Sequence, residues 1–442
     1  MVLLYTHSIS RRLEYIIGFF SRELFDEHIS ITADQSYFKN ASCVKINYSA
    51  SSFTGNEFFI SASELLFEEV ISPQKVHCFE INNLKAFFKS GGDYPFDIFA
   101  ASFYLLSRYE EYLPFEEDEY GRFAHFSSLA YKEDFLHLPM IDLWVEDFKK
   151  SLLIKFPTLQ FKRRSFKCIV SYDIDIAYAY QHKGWKGNLA GFTRSFVKGE
   201  WQLLKQRWSV LKGDERDPYD CYEWLDALHL YCRLKPYYFF LVAGRQSFYD
   251  RNVSTNKKAY RELIEYYAAN YQVGIHPSWR SNDLKHLLKE EIEWLEVVID
   301  KRIEYSRQHY IRLSFPLTYR RLLEAGIRKD FSMGYGSVNG FRASSSSPFL
   351  WFDLKENRET ALMIYPFCFM DANCFYELKH SPQQAYQELI EYYERIKTVK
   401  GTMISIWHNN ILGTLPDMKG WREMFELFMK ETVYWDAYYD EA

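Results

Sequence analysis

"CIVSYDIDIAYAY", residues 168–180, carries a β-branched apolar run straight into two aspartates one residue apart, Asp173 and Asp175. Side chains two apart on a strand share a face, so these carboxylates are held as like-charged neighbours. Two arrangements relieve the repulsion. One is a polar loop after the strand, with an aspartate capping the next helix. The other is a site where a cation neutralises one carboxylate and leaves its neighbour as a base.

The pattern around this stretch is one of repeated βα units. Strands are predicted at "KCIVSY", "YYFFLV" (237–242), "YQVGI" (271–275), "HYIRLSF" (309–315), "ALMIYPF" (361–367) and "TMISIW" (402–407). Between and after them lie helical patterns, among them "DCYEWLDALHLYCRL", "NKKAYRELIEYYAAN", "PQQAYQELIEYYERIKT" and "WREMFELFMKETVY". This order suits an α/β chain folded as a (β/α) barrel with fewer than eight strands. The first part of the chain reads differently. "CVKINYS" and "EFFISAS" suggest strands, "DIFAASFYLLSRYEEYL" (97–113) a helix behind an Asp97 cap, and "MIDLWVEDFKKSLLIKF" a second helix. A basic, proline-containing segment follows, so the expected division is a smaller α+β domain at 1–160 and the barrel at 161–442.

Composition narrows the partners. Net charge is −5 with 48% hydrophobic residues, as in an ordinary soluble protein, which argues against a dedicated nucleic-acid or anionic-membrane surface and leaves polyanion binding only as a local feature. No stretch approaches the ~20 apolar residues of a membrane span. Seven cysteines, odd in number and without a Cys-x-x-Cys, read as reduced thiols, and the N-terminus lacks signal-peptide form, so a cytoplasmic location is expected. The 35 Tyr and 37 Phe are spread along the chain and read mainly as core.

Barrels of this kind collect chemistry at the C-terminal ends of their strands. Here "CIVSY" runs into Asp173 and Asp175, "QVGI" into His276 and then Trp279, and "TMISIW" into His408, Asn409 and Asn410. Arg307 and His309 lie two apart in "SRQHY". Carboxylate and imidazole together form a ligand set for zinc or another divalent first-row ion with an open position for water. Asp175 is then the metal ligand and Asp173 the free base.

"SYDID", "GIHPSW", "SRQHY" and "ISIWHN", in that order, resemble motifs one, two, three and five of the polysaccharide deacetylase family, the NodB-homology carbohydrate esterases. With "DIFAASFYLLSRYEEY", "FSMGYGSVNGFRA" and "PFLWFDL", the chain is similar to a bacterial subgroup with an uncharacterised N-terminal domain, found among polysaccharide-biosynthesis proteins. The resemblance implies a distorted (β/α) barrel of about seven strands, a divalent metal such as zinc, and removal of an acetyl or similar acyl group from a carbohydrate. It assigns Asp173 as general base, Asp175 and His276 as metal ligands, Arg307 as the group orienting the base, and His408 as general acid. Trp279, Arg342, Trp407 and Asn409 are expected at the substrate, Arg342 standing in for part of a fourth motif that has no clear match.

Two departures stand out. The family's second metal histidine, four residues after the first, is replaced by Arg280, and "RQHY" puts His309 where a proline is usual. His309 is therefore expected to complete the set Asp175, His276 and His309. The alternative is a catalytically degenerate module that binds a glycan or a biosynthetic partner. A glycoside hydrolase with an Asp-x-Asp-x-Glu strand is disfavoured because Ala177 occupies the position of the acid.

Overall fold

A computed structural model describes residues 2–53 and 55–434, so residues 435–442 of the expected second segment lie outside the described residues. Strands β1 (Val2–Thr6), β2 (Ser30–Thr32), β3 (Val44–Ser49) and β4 (Phe58–Ser61) form a parallel sheet in the order β2-β1-β3-β4. A separate antiparallel pair, β5 (Phe79–Ile81) and β6 (Leu84–Ala86), follows. The predicted helix behind Asp97 forms, with the Asp97 carboxylate accepting from the Ala100 amide, but it ends at Leu106. Arg108 takes a left-handed conformation (φ 53°), and the rest of the predicted helix is a 3₁₀ turn, Tyr109–Tyr112. The helix Met140–Lys155 forms where its pattern predicts.

The second sheet positions the site. In chain order its strands are β7 (Lys167–Ile174), β8 (Tyr237–Leu241), β9 (Gln272–His276), β10 (Tyr305–Ser306), β11 (Lys329–Asp330), β12 (Phe349–Asp353), β13 (Arg358–Ile364), β14 (Phe369–Met370) and β15 (Thr402–His408). They are arranged β12-β13-β11-β10-β9-β8-β7-β15-β14, all parallel except β12, which pairs antiparallel with β13. The fold is thus mixed α/β as expected. The ladders run as one nine-stranded sheet from β12 to β14, and among the described residues no ladder joins those two ends.

Period-two alternation gives the sheet two chemically different faces. Register pairs Ile404 with Ile169, Ile406 with Ser171 and His408 with Asp173 across β15 and β7, then Asp173 with Phe239 and Phe239 with Gly274 across β8 and β9. Phe239, Ile404 and Ile406 pack in one buried cluster with Phe331, Phe367 and Met370. The alternate residues Tyr172, Ile174, Tyr238, Phe240, Met403 and Trp407 belong to a second, larger core. That core continues without a break into the N-terminal residues, including Leu4, Phe20, Phe99 and Trp144. Gly274 is required on the first face, because a Cβ there would lie 2.6 Å from the Phe239 ring and 2.8 Å from the Tyr305 carbonyl.

The predicted strand "HYIRLSF" is a correction. The chain leaves the sheet after Ser306, and His309–Ile311 form a 3₁₀ turn in which Tyr310 (φ 57°) and Ile311 (φ 53°) are both left-handed. Such conformations cost ~1–3 kcal/mol each for non-glycine residues, and a β-branched isoleucine is an outlier there. Short β11 and β14, the strand β12, and the helices Gly184–Val197, Trp201–Lys212 and Leu317–Glu324 were not anticipated.

Arg342 is a further correction. It does not reach the cleft; it is 1% exposed and donates from Nε (2.9 Å) and Nη2 (2.5 Å) to the Glu111 carboxylate. Arg108 donates to the same carboxylate (2.7 Å), to Glu110 (2.8 Å) and to the Arg342 carbonyl. This buried charge-balanced cluster fastens the N-terminal residues to the loop before β12. Removing one member of a buried ion pair costs ~3–5 kcal/mol. Glu111→Ala should lose stability on that scale in a denaturant titration, because it leaves two guanidinium groups without their shared carboxylate.

Candidate active site

The register that aligns β15, β7 and β9 delivers His408, Asp173 and His276 to the C-terminal edge of one face, with Asp175 just past the end of β7. These residues, with His309, line a cleft of about 730 Å³. Asp175 sits at the centre. Its Oδ1 lies 3.1 Å from His276 Nε2, and its Oδ2 lies 3.7 Å from both His309 Nε2 and His408 Nε2.

Each imidazole is oriented from behind by an acceptor. His276 Nδ1 is 2.6 Å from the Arg307 carbonyl, His309 Nδ1 is 3.0 Å from Asp250 Oδ1, and His408 Nδ1 is 2.6 Å from Asp371 Oδ1. A carbonyl or carboxylate only accepts, so each Nδ1 carries a proton and each Nε2 turns its remaining valence towards Asp175. Asp250 is itself fixed by the Trp279 amide and the Ser247 hydroxyl, and Asp371 by the His408 amide.

The electrostatics follow from this crowding. Burial alone raises the Asp175 carboxyl, but His309 and His276 outweigh it and hold Asp175 well below the usual carboxylate range. Burial likewise lowers His309, yet Asp175 and Asp250 push it up to about 9. His408 is pushed up to about 9 against burial, chiefly by Asp371, with Asp175 and Asp173 adding to the effect.

Asp173 is placed apart from the imidazoles. Its Oδ1 accepts from Arg307 Nη1 at 2.7 Å, and its Oδ2 is 3.9 Å from His276 Nε2. Arg307 is fully buried, stacks 4.4 Å over the Phe239 ring and also donates to Ser171 Oγ and the Phe331 carbonyl. Its guanidinium therefore has one fixed orientation, and Asp173 inherits it.

Asp175, His276 and His309 form a group whose ligand atoms lie within 4.8 Å of one another. Two ligands each ~2.0–2.1 Å from a tetrahedral zinc are about 3.3 Å apart, close to the separations here. Asp175 Oδ1 is buried and has no hydrogen-bond partner among the described residues, although His276 Nε2 lies 3.1 Å away. That donor set fits a divalent cation. Backing of a ligand histidine by a carbonyl or a carboxylate is the arrangement that metal sites use.

The other expected residues fall into two groups. Trp279 is half-buried at the rim, where its ring stacks on Tyr249 (4.1 Å, 17°) and meets Tyr120 and Tyr310 edge-on. Trp407 and Asn409 are corrections. Trp407 alternates with His408 and so points to the opposite face, among Phe369, Phe425 and Phe428. Asn409 is buried and its amide donates to the Ile176 and Tyr219 carbonyls, which fixes the loop after β7. Arg280, in the place of the family's second histidine, lines a separate depression with Arg245, His286 and Glu290.

Several groups in the cleft escaped the sequence. Asp371 directly follows β14, and an aspartate at a strand end is the signal that would have found it; Asp250 lies well into the loop after β8, where no local signal marks it. Glu119, Tyr120 and Arg122 enter from the N-terminal part of the chain. Arg122 donates to the Tyr310 carbonyl at 2.6 Å and so braces the strained turn that carries His309. Gln308 Nε2 and Asn410 Oδ1 are buried atoms of cleft residues without hydrogen-bond partners.

Comparison with known proteins gives three findings. Residues 2–157 match the model of a family of unknown function (DUF7033). No curated protein matches. Among solved structures, a Mycobacterium smegmatis protein assigned as a polysaccharide deacetylase aligns at TM-score 0.40 and 13% identity over 62% of this chain and 85% of its own. A polysaccharide deacetylase of Bacillus cereus aligns at 0.30 and 12% over 61% and 88%, and an allantoinase at 0.36 and 12% over 61% and 84%.

Zinc or cobalt titrated against a competing chelator should bind one site per chain. Asp250→Ala should weaken it ~10- to 100-fold, the usual effect of losing a group that orients a ligand. Arg280→Ala should leave it unchanged, and equal affinities in wild type and Asp250→Ala would remove His309 from the ligand set.

Proposed function

We propose that this protein is a metal-dependent hydrolase that removes an acetyl or related acyl group from a carbohydrate in bacterial surface-polysaccharide synthesis. In this reading the nine-stranded sheet is a distorted (β/α) barrel of the deacetylase type, and residues 1–160 are a domain that completes the cleft. The observation that carries it is the grouping of Asp175 with two imidazole Nε2 atoms, between an arginine-held carboxylate on one side and an aspartate-held imidazole on the other.

Asp175, His276 and His309 would hold the ion, zinc being the best match to the donor set. When bound, such an ion polarises an acyl carbonyl and acidifies water. The remaining steps belong to the chain. Asp173, kept in place by Arg307, accepts a proton from the attacking water as the new C–O bond forms. His408, protonated and held by Asp371, donates a proton to the leaving nitrogen or oxygen as the C–N or C–O bond breaks. Acetate and a free amine or hydroxyl result. The rings of Tyr120, Tyr249 and Tyr310, backed by Trp279, supply an aromatic wall for a sugar face. A cytoplasmic location belongs to the proposal as well, supported by buried thiols at Cys221, Cys232, Cys368 and Cys374.

The test is acetate release from N-acetylated glucosamine oligomers and nucleotide-linked acetamido sugars by metal-loaded protein. Loss of a positioned base or acid typically lowers turnover ~10²- to 10⁴-fold. Asp173→Asn and His408→Ala should each fall in that range while retaining metal, whereas Asp175→Ala with His276→Ala should lose metal and activity together. Equal rates in wild type, Asp173→Asn and His408→Ala would refute the assignment of base and acid.

A further inference from the structure

Between β7 and β8 the chain makes a helical hairpin, Gly184–Val197 and Trp201–Lys212, whose polarity is inverted. The first helix buries Asn188 and Ser195 and exposes Trp185 (73%), Leu189, Phe196 and Val197 (79%). The second buries only Val210 and exposes Trp201 (63%), Trp208 and Leu211. The inward polar residues tie the two helices to each other and to Tyr180 in the loop after β7. Asn188 donates to the Tyr180 carbonyl, and Arg207 donates to Asn188 while lying 4.3 Å over the Tyr180 ring. So the outward apolar face is held in a defined orientation, and apolar surface gathered on one element marks an interaction site.

Charge decides the partner. Residues 183–212 contain seven basic residues and a single acidic one, Glu200, in a chain of net charge −5. Lys186, Arg194, Lys198, Lys205 and Lys212 are exposed, and Lys186 and Lys212 lie beside the rings of Trp185 and Trp208. Tryptophans with flanking lysines on a short amphipathic helix match the chemistry of an anionic bilayer surface, where indoles sit at headgroup depth and lysines meet the lipid charge. No helix among the described residues is long and apolar enough to cross a membrane, so this element would lie on the surface.

We propose that the hairpin docks the protein on an anionic lipid bilayer and that the acyl-saccharide it acts on is lipid-anchored, the second part resting on the hydrolase reading above. Position supports the link. An open apolar depression lined by Trp185, Leu189, Val197 and Arg194 adjoins the catalytic cleft, because Arg194 also lines that cleft together with Asp175 and His276. A lipid chain against the hairpin therefore leads its headgroup towards the site.

The experiment is flotation of the full chain with phosphatidylcholine vesicles, with and without roughly one third phosphatidylglycerol. Wild type should float with the anionic vesicles alone and be released by salt. Lys186→Glu with Lys198→Glu, and separately Trp185→Ser with Phe196→Ser and Trp208→Ser, should reduce binding about tenfold or more. Failure of wild type to float, or equal flotation of both variants, overturns docking. So does a concentration-dependent dimer that the apolar variant abolishes, since the face would then pair two copies. The same proteins should release acetate equally from a water-soluble N-acetylated glucosamine oligomer, while the variants fall behind on that oligomer carried by a lipid anchor in vesicles. Flotation without acetate release from either substrate sinks the hydrolase reading and leaves docking standing; equal rates on the anchored substrate overturn its assignment.

Discussion

The carboxylate of Asp175, surrounded by three imidazole nitrogens, is the constraint around which the site is organised. An anion in that position is tolerable only if the groups facing it are cationic or share a cation. The protein has arranged for either. Asp250 and Asp371 raise the basicity of His309 and His408, so in the absence of an ion protons supply the positive charge. A divalent ion held by the proposed ligands would compete with such a proton for His309 Nε2.

That arrangement depends on strand register more than on any single contact. His408 is opposite Asp173, and His276 is opposite Leu241, because β15, β7, β8 and β9 are aligned residue for residue. A slip of one position in β15 would send His408 into the outer core and bring Trp407 into the cleft. The apolar rows beneath prevent this. Ile404 and Ile406 are fully buried on the inner face and Trp407 on the outer, so any slip would expose or misplace all three.

This alternation also explains what the sequence made legible. The apolar runs ending in Asp173, His276 and His408 announce strands whose last residues share a face, and the structure does bring those side chains together. The same period could have excluded Trp407, which alternates with His408. Arg342 and Asn409 misled for another reason: nothing local distinguishes a polar residue facing substrate from one satisfied by a distant partner such as Glu111 or the loop after β7. Asp250 and Asp371 owe their importance to histidines 59 and 37 residues away, a pairing only the tertiary fold creates. The hairpin at 184–212 lies outside that reading, and its exchanged faces show that a helical period does not by itself tell which side is buried.

His309 occupies a position that departs from the resembled pattern. The resemblance puts the family's second histidine four residues after the first. Here that position is Arg280, in a 3₁₀ turn directed away from the cleft, and in the proposed site the third ligand comes from the segment after β10. A strand there would carry residue 309 onward past the end of the sheet. Two left-handed residues, Tyr310 and Ile311, instead fold the chain back beside the cleft, with the His309 ring 4.9 Å from that of His276. Strain of this kind persists only where surrounding contacts hold it, and one of them comes from outside the sheet: the Arg122 guanidinium bonded to the Tyr310 carbonyl. The N-terminal residues are therefore tied to the proposed chemistry through the backbone conformation of the turn that carries His309.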